Sequence, residues 1–479
     1  MDLFSLWSVA LTVLGYVITL FLIPMVLLTK KRQPASTVAW IIAIIVLPII
    51  GGALFVFFGI NRIDRRTRRK EQAARHIDRS LPGLAQYHVI PGEALTPQER
   101  RLMRIADELG GTRPTLGNKI EVLADTNQTL GLIEQAIQSA ENSLHLEYYI
   151  WQPDRTGTRL RDMLVEKARQ GVTVRFLYDS IGSLFLSKRF LKPMRSAGIA
   201  VAPFLPGPTF RERWSLNLRS HRKIVVVDGQ VGFTGGMNIG DEYIGRSRHY
   251  GFWRDTHLRM RGPAVLQLQQ VFAEDWYYAT GEELTQPELF PDPTETGNIS
   301  AQVIADAPAG GTRAFHSLMF AAINEAQHQV TLATSYFVPP LALLTALETA
   351  AWRGVRVRLL LPGKSTYLWT QLAGRSYFDA LLSAGVEIYE YQLGSLHSKT
   401  LTIDGCWSLI GTPNFDYRSL LLNFEVGVVS YGIRVARDLE EQFENDLNDA
   451  ERIDPEVFAR RPLKHVLGEN ICRLFAPVL

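Results

Sequence analysis

Two apolar runs open the chain: Leu3–Leu28, 26 residues without a charge, and Thr37–Ile60, 24 more. At about 1.5 Å per helical residue, each is long enough to cross a hydrocarbon layer roughly 30 Å thick. The pattern therefore predicts a hairpin of two transmembrane helices (about 3–28 and 37–60) within residues 1–61. Pro48, Gly51 and Gly52 permit a kink or a re-entrant path in the second. Thr96-Pro97-Gln98-Glu99 reads as a capping box with proline at the first helical position, closed by Gly110-Gly111. It forms a linker helix within a basic juxtamembrane segment, 62–118. The stretch 283–298, with Pro287, Pro291 and Pro293, is a second linker.

Between and after these lie two stretches, 119–282 and 299–452, that repeat each other. Ala136-Ile-Gln-Ser-Ala140 recurs as Ala322-Ile-Asn-Glu-Ala326. Gly171-Val-Thr-Val-Arg-Phe-Leu177 recurs as Gly354-Val-Arg-Val-Arg-Leu-Leu360, and Ser196-Ala-Gly-Ile199 as Ser383-Ala-Gly-Val386. In both, helices alternate with β-branched strands, which argues an α/β fold with each sheet flanked by helices. A tail, 453–479, places Leu463, Val466, Leu467, Ile471, Leu474 and Phe475 at near-helical spacing, suited first to docking on the core and second to a membrane interface.

Composition then narrows the class. With 46% hydrophobic and 21% charged residues, the 479-residue chain is neither disordered nor fibrous. Two cysteines, Cys406 and Cys472, are too few for a disulfide framework or a structural zinc site. The net charge of +3 is unevenly placed: residues 1–70 carry net +7, so residues 71–479 carry net −4. Six basic residues in Arg62–Lys70 outvote Lys30, Lys31 and Arg32 in the hairpin loop, which places the large remainder on the cytoplasmic side of the membrane. The stretch Arg62–Arg75 would also lie against anionic headgroups. A net-acidic body without a basic stripe argues against a nucleic acid partner.

The last repeated words carry chemistry. His221-Arg-Lys223 runs through Ile224–Val227 to Asp228, and His397-Ser-Lys399 runs through Thr400–Ile403 to Asp404, so both halves contain His-x-Lys-x4-Asp. These six residues are the catalytic candidates. Residues two apart on a strand share a face, so each histidine projects with its lysine. Two such strands related by a pseudo-twofold axis would bring two imidazoles and two ammonium groups to one cleft, which suits a phosphodiester. Asn238 and Asn414 would add amide donors, and Gly235, Gly411 and Thr412 would bring backbone or hydroxyl groups to the phosphate. Each imidazole needs an acceptor for its second nitrogen, and the aligned words Trp253-Arg-Asp255 and Asn423-Phe-Glu425 supply Asp255 and Glu425.

These paired motifs identify the chain as similar to the phospholipase D superfamily. Tyr149-Ile-Trp151, Ser335-Tyr-Phe-Val-Pro339 and Asn414-Phe-Asp-Tyr-Arg-Ser419 resemble its bacterial lipid-synthesising branch with two repeats behind a membrane hairpin. The resemblance implies transfer of a phosphatidyl group from one phosphatidylglycerol to another with release of glycerol, His221 as nucleophile, His397 as acid/base, and no metal or cofactor. Water in place of the second lipid would leave the same cleft, so hydrolysis to phosphatidic acid stays open. Two departures stand out. Gly236 and Thr412 occupy positions where the family often has serine, and the first repeat carries an insert, about Pro206–Asn217, with Arg211, Arg213 and Trp214. The insert reads either as a lid or lipid-facing element or as an ordinary surface loop.

Overall fold

The strand Lys223–Val227 is buried at every position, and Lys399–Ile403 at all but one. Both lie inside a sheet covered on each face, which is why their β-branched runs do not alternate with polar residues. In the computed structural model, residues 3–28, 34–56, 70–77, 81, 87–88, 95–110, 112–204, 218–247, 251–294, 297–308 and 313–475 are described. The expected basic residues Arg62–Arg69 and the insert Pro206–Asn217 lie outside them.

The first half supplies β1 (Thr115–Asp125), β2 (Ser143–Tyr148), β3 (Thr173–Tyr178), β4 (Ala200–Pro203), β5 (Arg219–Ser220), β6 (Lys223–Val227), β7 (Val231–Gly235) and β8 (Phe252–Arg261). The second supplies β9 (Ile299–Asp306), β10 (Gln329–Thr334), β11 (Phe337–Val338), β12 (Arg356–Pro362), β13 (Glu387–Tyr391), β14 (Gly394–Leu396), β15 (Lys399–Ile403), β16 (Trp407–Gly411), β17 (Phe415–Asp416) and β18 (Asn423–Tyr431). The order across the first sheet is β4-β3-β2-β6-β7-β8-β1. Across the second it is β13-β12-β10-β15-β16-β18-β9, the same order written again. In each, the three strands joined by crossover helices run parallel and the hairpin strands antiparallel, so the sheets are mixed.

The halves are stitched together at three places. β1 pairs antiparallel with β9. The short β5 pairs parallel with β18 of the second half, and the short β14 pairs parallel with β8 of the first. Each half has its own core, around Leu144, Phe176 and Phe233 in the first and Leu332, Leu359 and Trp407 in the second. The linker helix Pro97–Gly110 joins the second core through Leu102, Met103 and Ala106. Its capping box forms as expected: Thr96 N–H donates to Glu99 Oε2 (2.8 Å) and Glu99 N–H to Thr96 Oγ1 (3.1 Å).

The N-terminal residues form a separate compact unit. Its helices are α1 (Leu3–Leu28), α2 (Pro34–Val46) and α3 (Pro48–Leu54). The second apolar run is thus two helices rather than one. Pro48 offers no N–H and its ring opposes the preceding turn, so the helix stops and restarts with proline at its first position. Gly51 lies so close to α2 that a Cβ would sit 2.2 Å from Ala43 O, and Gly52 packs α3 on Ile18 and Leu22 of α1. Among the described residues no helix is long and apolar enough to cross a membrane; the described side chains of α1 begin at Val13.

Lys70, counted above with the basic segment, is buried. Its Nζ meets Asp275 Oδ1 at 2.9 Å and Glu274 Oε2 at 3.3 Å, so this residue holds a helix in place rather than facing lipid headgroups.

Candidate active site

Strand register decides which residues meet. β6 runs antiparallel to β2 with Lys223 opposite Tyr148, and β15 runs antiparallel to β10 with Lys399 opposite Thr334. Both His-x-Lys pairs therefore start their strands at the carboxyl ends of the parallel strands, the edge where open α/β sheets bind ligands.

Each histidine is held by the opposite half. His221 N–H donates to Phe424 O (2.9 Å) and its Nδ1 lies 2.9 Å from Glu425 Oε2. His397 N–H donates to Arg254 O (2.6 Å) and its Nδ1 lies 2.6 Å from Asp255 Oδ2. The two carboxylates singled out in the sequence are the ones that meet the imidazoles, and the two clamps cross between the repeats. With Nδ1 engaged, Nε2 of each ring is the nitrogen left for substrate. Burial, followed for His221 by Lys223 and for His397 by Lys399, pushes both imidazoles down to about 4, against the opposing pull of Glu425 and Asp255. Both rings are thus neutral near pH 7.

The lysines are equally tuned. Lys223 Nζ donates to His221 O (2.6 Å) and sits over the Tyr149 ring, 5.2 Å from its centre. Lys399 Nζ donates to Ser335 Oγ (2.7 Å) and to His397 O. Burial lowers Lys223 to about 7 and Lys399 to about 8, so an arriving anion would complete their protonation. Burial alone would raise Asp255 and Glu425, but the adjoining imidazoles and lysines hold both below the usual carboxylate range.

Other predicted residues take different places. Asp228 and Asp404, counted with the catalytic set, stand at the far ends of β6 and β15. A strand rising about 3.3 Å per residue puts each roughly 17 Å from its lysine. Asp228 accepts the N–H groups of Glu141, Asn142 and Ser143 (2.7–2.8 Å), and Asp404 those of Gln327, His328 and Gln329 (2.7–2.9 Å) plus Gln98 Nε2 (2.8 Å). Both have φ of +51°, a left-handed turn conformation that aspartate tolerates. They tie each hairpin to the start of β2 or β10 and touch no imidazole.

Thr412 does not present its hydroxyl to the cleft either. Its Oγ1 donates to Glu425 Oε2 and accepts from Val426 N (3.0 Å), and Asn423 Nδ2 donates to Glu425 Oε1 (3.2 Å). In the first half the matching position is Gly236, where a Cβ would lie 2.0 Å from Asp255 Oδ1, so any side chain would displace that carboxylate. Gly235 and Gly411 serve close approach of β7 to β8 and of β16 to β18: a Cβ would meet His257 Cα at 2.6 Å and Val426 O at 2.4 Å. Their neighbours' N–H groups go to Thr256 O and Val426 O and not to a phosphate. Asn238 is buried with Oδ1 accepting from Ile150 N (3.3 Å), and Asn414 is buried with its Oδ1 lacking a partner.

Sequence reasoning missed the roles of Tyr149 and Ser335. The Tyr149 ring lies 5.0 Å from that of His221, edge to face, and the Trp253 ring 5.3 Å from that of His397. Both Tyr149 and Ser335 follow a strand ending beside a motif lysine, which was the available signal. Beneath His221, Ser220 N–H donates to Asp179 Oδ2 (2.9 Å), Ser220 Oγ to buried Glu147, and Arg222 to Asp275 and to Asp306 O (3.0 Å). Burial and then the charge of Asp275 raise Glu147 well above the usual carboxylate value. No cluster of His, Cys, Asp and Glu suited to a metal ion occurs among the described residues.

Comparison with known proteins agrees with the two-repeat fold. A family model for the cardiolipin synthase, phospholipase D-like domain matches residues 133–276 and 319–447, and one for the phospholipase D-nuclease N-terminal region matches 10–59. A cardiolipin synthase of Geobacillus kaustophilus (strain HTA426) is 41% identical over 95% of this chain and 91% of its own length. Cardiolipin synthase 2 of Bacillus anthracis is 37% identical over 97% and 91%. The crystal structure of a phosphatidylserine synthase from Haemophilus influenzae Rd KW20 shares the fold, with a TM-score of 0.60 at 14% identity, covering 79% of this chain and 100% of that one. Two repeats of one mixed sheet, two crossed His-x-Lys sites and these likenesses together place the chain in the cardiolipin synthase family of the phospholipase D superfamily.

Proposed function

We propose that the chain transfers a phosphatidyl group from one phosphatidylglycerol to a second, forming cardiolipin and free glycerol through a phosphohistidine. The observation that carries this reading is the reciprocal clamp, Glu425 on His221 and Asp255 on His397, beside two buried lysines of lowered pKa.

His221 Nε2 attacks phosphorus, forming the N–P bond as the bond to the glycerol oxygen breaks. His397 protonates that departing oxygen. The negative charge of the bound phosphodiester, with Asp255 on Nδ1, raises His397 and lets it carry that proton. In the second step His397 takes the proton of the acceptor's hydroxyl, whose oxygen attacks phosphorus and releases His221. Lys223, Lys399, Asn238 and Asn414 neutralise the equatorial oxygens. Thr412 and Asn423 keep Glu425 in place. Assigning His221 as nucleophile follows the family's usual order, and its more heavily hydrogen-bonded carboxylate supports it.

The uncharged 26-residue α1, the glycine-packed α3 and the matching N-terminal family model support a membrane-anchored protein. On this reading, residues 1–61 cross the bacterial inner membrane as a hairpin, 62–118 link it to the two repeats, 119–282 and 299–452, and the catalytic body faces the cytoplasm.

Labelled phosphatidylglycerol incubated with the full chain in vesicles lacking divalent metal tests the chemistry. Cardiolipin plus glycerol, absent with His221→Ala, is expected; phosphatidic acid as the main product would make water the acceptor and overturn the transferase reading.

A further inference from the structure

Two segments border the cleft mouth, one from each half, and both hold large apolar side chains away from any core. After β3, the loop 180–187 exposes Leu184 (68%) and Phe185 (69%). After β12, the corresponding stretch leads into the helix Leu368–Arg375 and exposes Leu368 (64%) and Trp369 (59%). Both are fastened to the site. Ser183 Oγ donates to Tyr149 O (3.0 Å), and the Tyr149 ring stands against His221. Tyr367 lies 6.1 Å from the ring of Tyr336, the residue after the Ser335 that holds Lys399.

Charge agrees with this placement. Residues 180–198 contain Lys188, Arg189, Lys192 and Arg195 and no acid, and residues 363–374 contain Lys364 and no acid, although residues 71–479 are net −4. All five of these basic side chains are exposed. The C-terminal helix Leu463–Leu474 extends the same surface. It docks against the helix Leu368–Arg375 through buried Cys472 and through Glu469, whose Oε1 lies 3.7 Å from Arg375 Nε and whose Oε2 meets Arg461 (2.8 Å). Its other face leaves Leu463, Leu467 and Leu474 exposed in one stripe, with Lys464 and Arg473 beside it. The tail thus docks on the core, the first of the two roles its spacing suggested, and keeps an apolar stripe outside it.

We propose that these paired tips, Leu184–Phe185 and Leu368–Trp369, with the apolar stripe of the C-terminal helix, seat the cleft mouth in an anionic lipid surface. This rests on the phosphatidyl-transfer reading and adds to it: acyl chains stay in the bilayer while the headgroup phosphate rises between the tips to the histidines. Apolar tips flanked by lysine and arginine are the chemistry of interfacial binding, and tryptophan favours that depth.

Two readouts test it on the full chain. In vesicles containing brominated phosphatidylglycerol, Trp369→Phe should remove a clearly quenched part of the tryptophan emission; the same fractional quenching with and without Trp369 overturns the proposal. The variants Leu184→Ser/Phe185→Ser and Leu368→Ser/Trp369→Ser should each lose about tenfold in turnover of vesicle phosphatidylglycerol, because the anchored chain no longer seats its cleft mouth in the surface. Turnover of monomeric dihexanoyl phosphatidylglycerol should stay within about twofold, which also reports correct folding. Equal loss on both substrates, or none on either, overturns the proposal. If the unaltered chain turned over neither substrate, the catalytic reading would fail while the quenching still decided the surface.

Discussion

At the scale of single residues, the cleft is built so that its charge is supplied when substrate arrives. Lys223 at about 7 and Lys399 at about 8 are incompletely protonated near neutral pH, and both imidazoles are neutral. An anion stabilises the protonated lysines, so binding takes up protons. The sign follows: affinity for a non-reactive phosphodiester analogue should strengthen as pH falls from about 9 to about 6 through these two values. Calorimetry in buffers of different ionisation enthalpy should register net proton uptake near pH 8; affinity independent of pH across that window would remove both lysines from phosphate binding. Thr412 makes a second test. Because its hydroxyl holds Glu425 rather than substrate, Thr412→Val should lower kcat by roughly tenfold with KM little changed, and Thr412→Ser should restore most of it, as expected for loss of one oriented hydrogen bond behind a nucleophile. A dominant KM effect would return Thr412 to the phosphate.

At the scale of strands and turns, one motif serves two ends of one strand. His221 and Lys223 open the cleft edge, while Asp228 accepts three backbone N–H groups at the other edge. Asp228→Ala leaves those donors without their acceptor and should cost about 2–4 kcal/mol of stability, seen as a lower Tm. Activity per folded molecule should stay within about threefold, the reverse of His221→Ala, which should keep Tm and lose at least about 10³-fold in turnover. Loss of chemistry with Tm unchanged in Asp228→Ala would restore it to the catalytic set. The strand rise alone sets Asp228 at the edge away from His221, whereas in the sequence a repeated motif looks like one functional unit. The duplicated order of strands, by contrast, was legible in the repeated words, since each word marks a helix end or strand start. The crossing of the clamps was not. Asp255 sits on the first repeat's own sequence, and only the pairing of β14 with β8 and of β5 with β18 brings each carboxylate to the other repeat's histidine.

At the scale of the molecule, that crossing makes the site a property of two docked halves. Neither repeat holds a histidine and its own orienting carboxylate, so half the chain carries no complete catalytic pair. The linker between the repeats is tied down mostly to the first: Gln230 Oε1 accepts from Thr294 N (2.9 Å), and Gly297 N–H donates to Gly117 O (2.8 Å). Association of the halves rests instead on the β1–β9 ladder, the β5–β18 and β14–β8 pairings, and buried links such as Arg222 to Glu425 O (3.1 Å) and Arg254 to Asp446 (2.8 and 2.9 Å). These bonds are noncovalent and distributed, and breaking one peptide between the repeats removes none of them. A protease site inserted between Thr294 and Gly297 and cut after folding should therefore leave two fragments that co-elute, with turnover within about threefold of the uncut chain, since loop connectivity contributes to stability only through a slowly varying entropy term. Refolding the cut protein from denaturant should lose yield as protein concentration falls, because docking has become bimolecular. Separation of the fragments on cutting, or loss of activity while they stay together, would mean that the linker itself holds the two clamps in register.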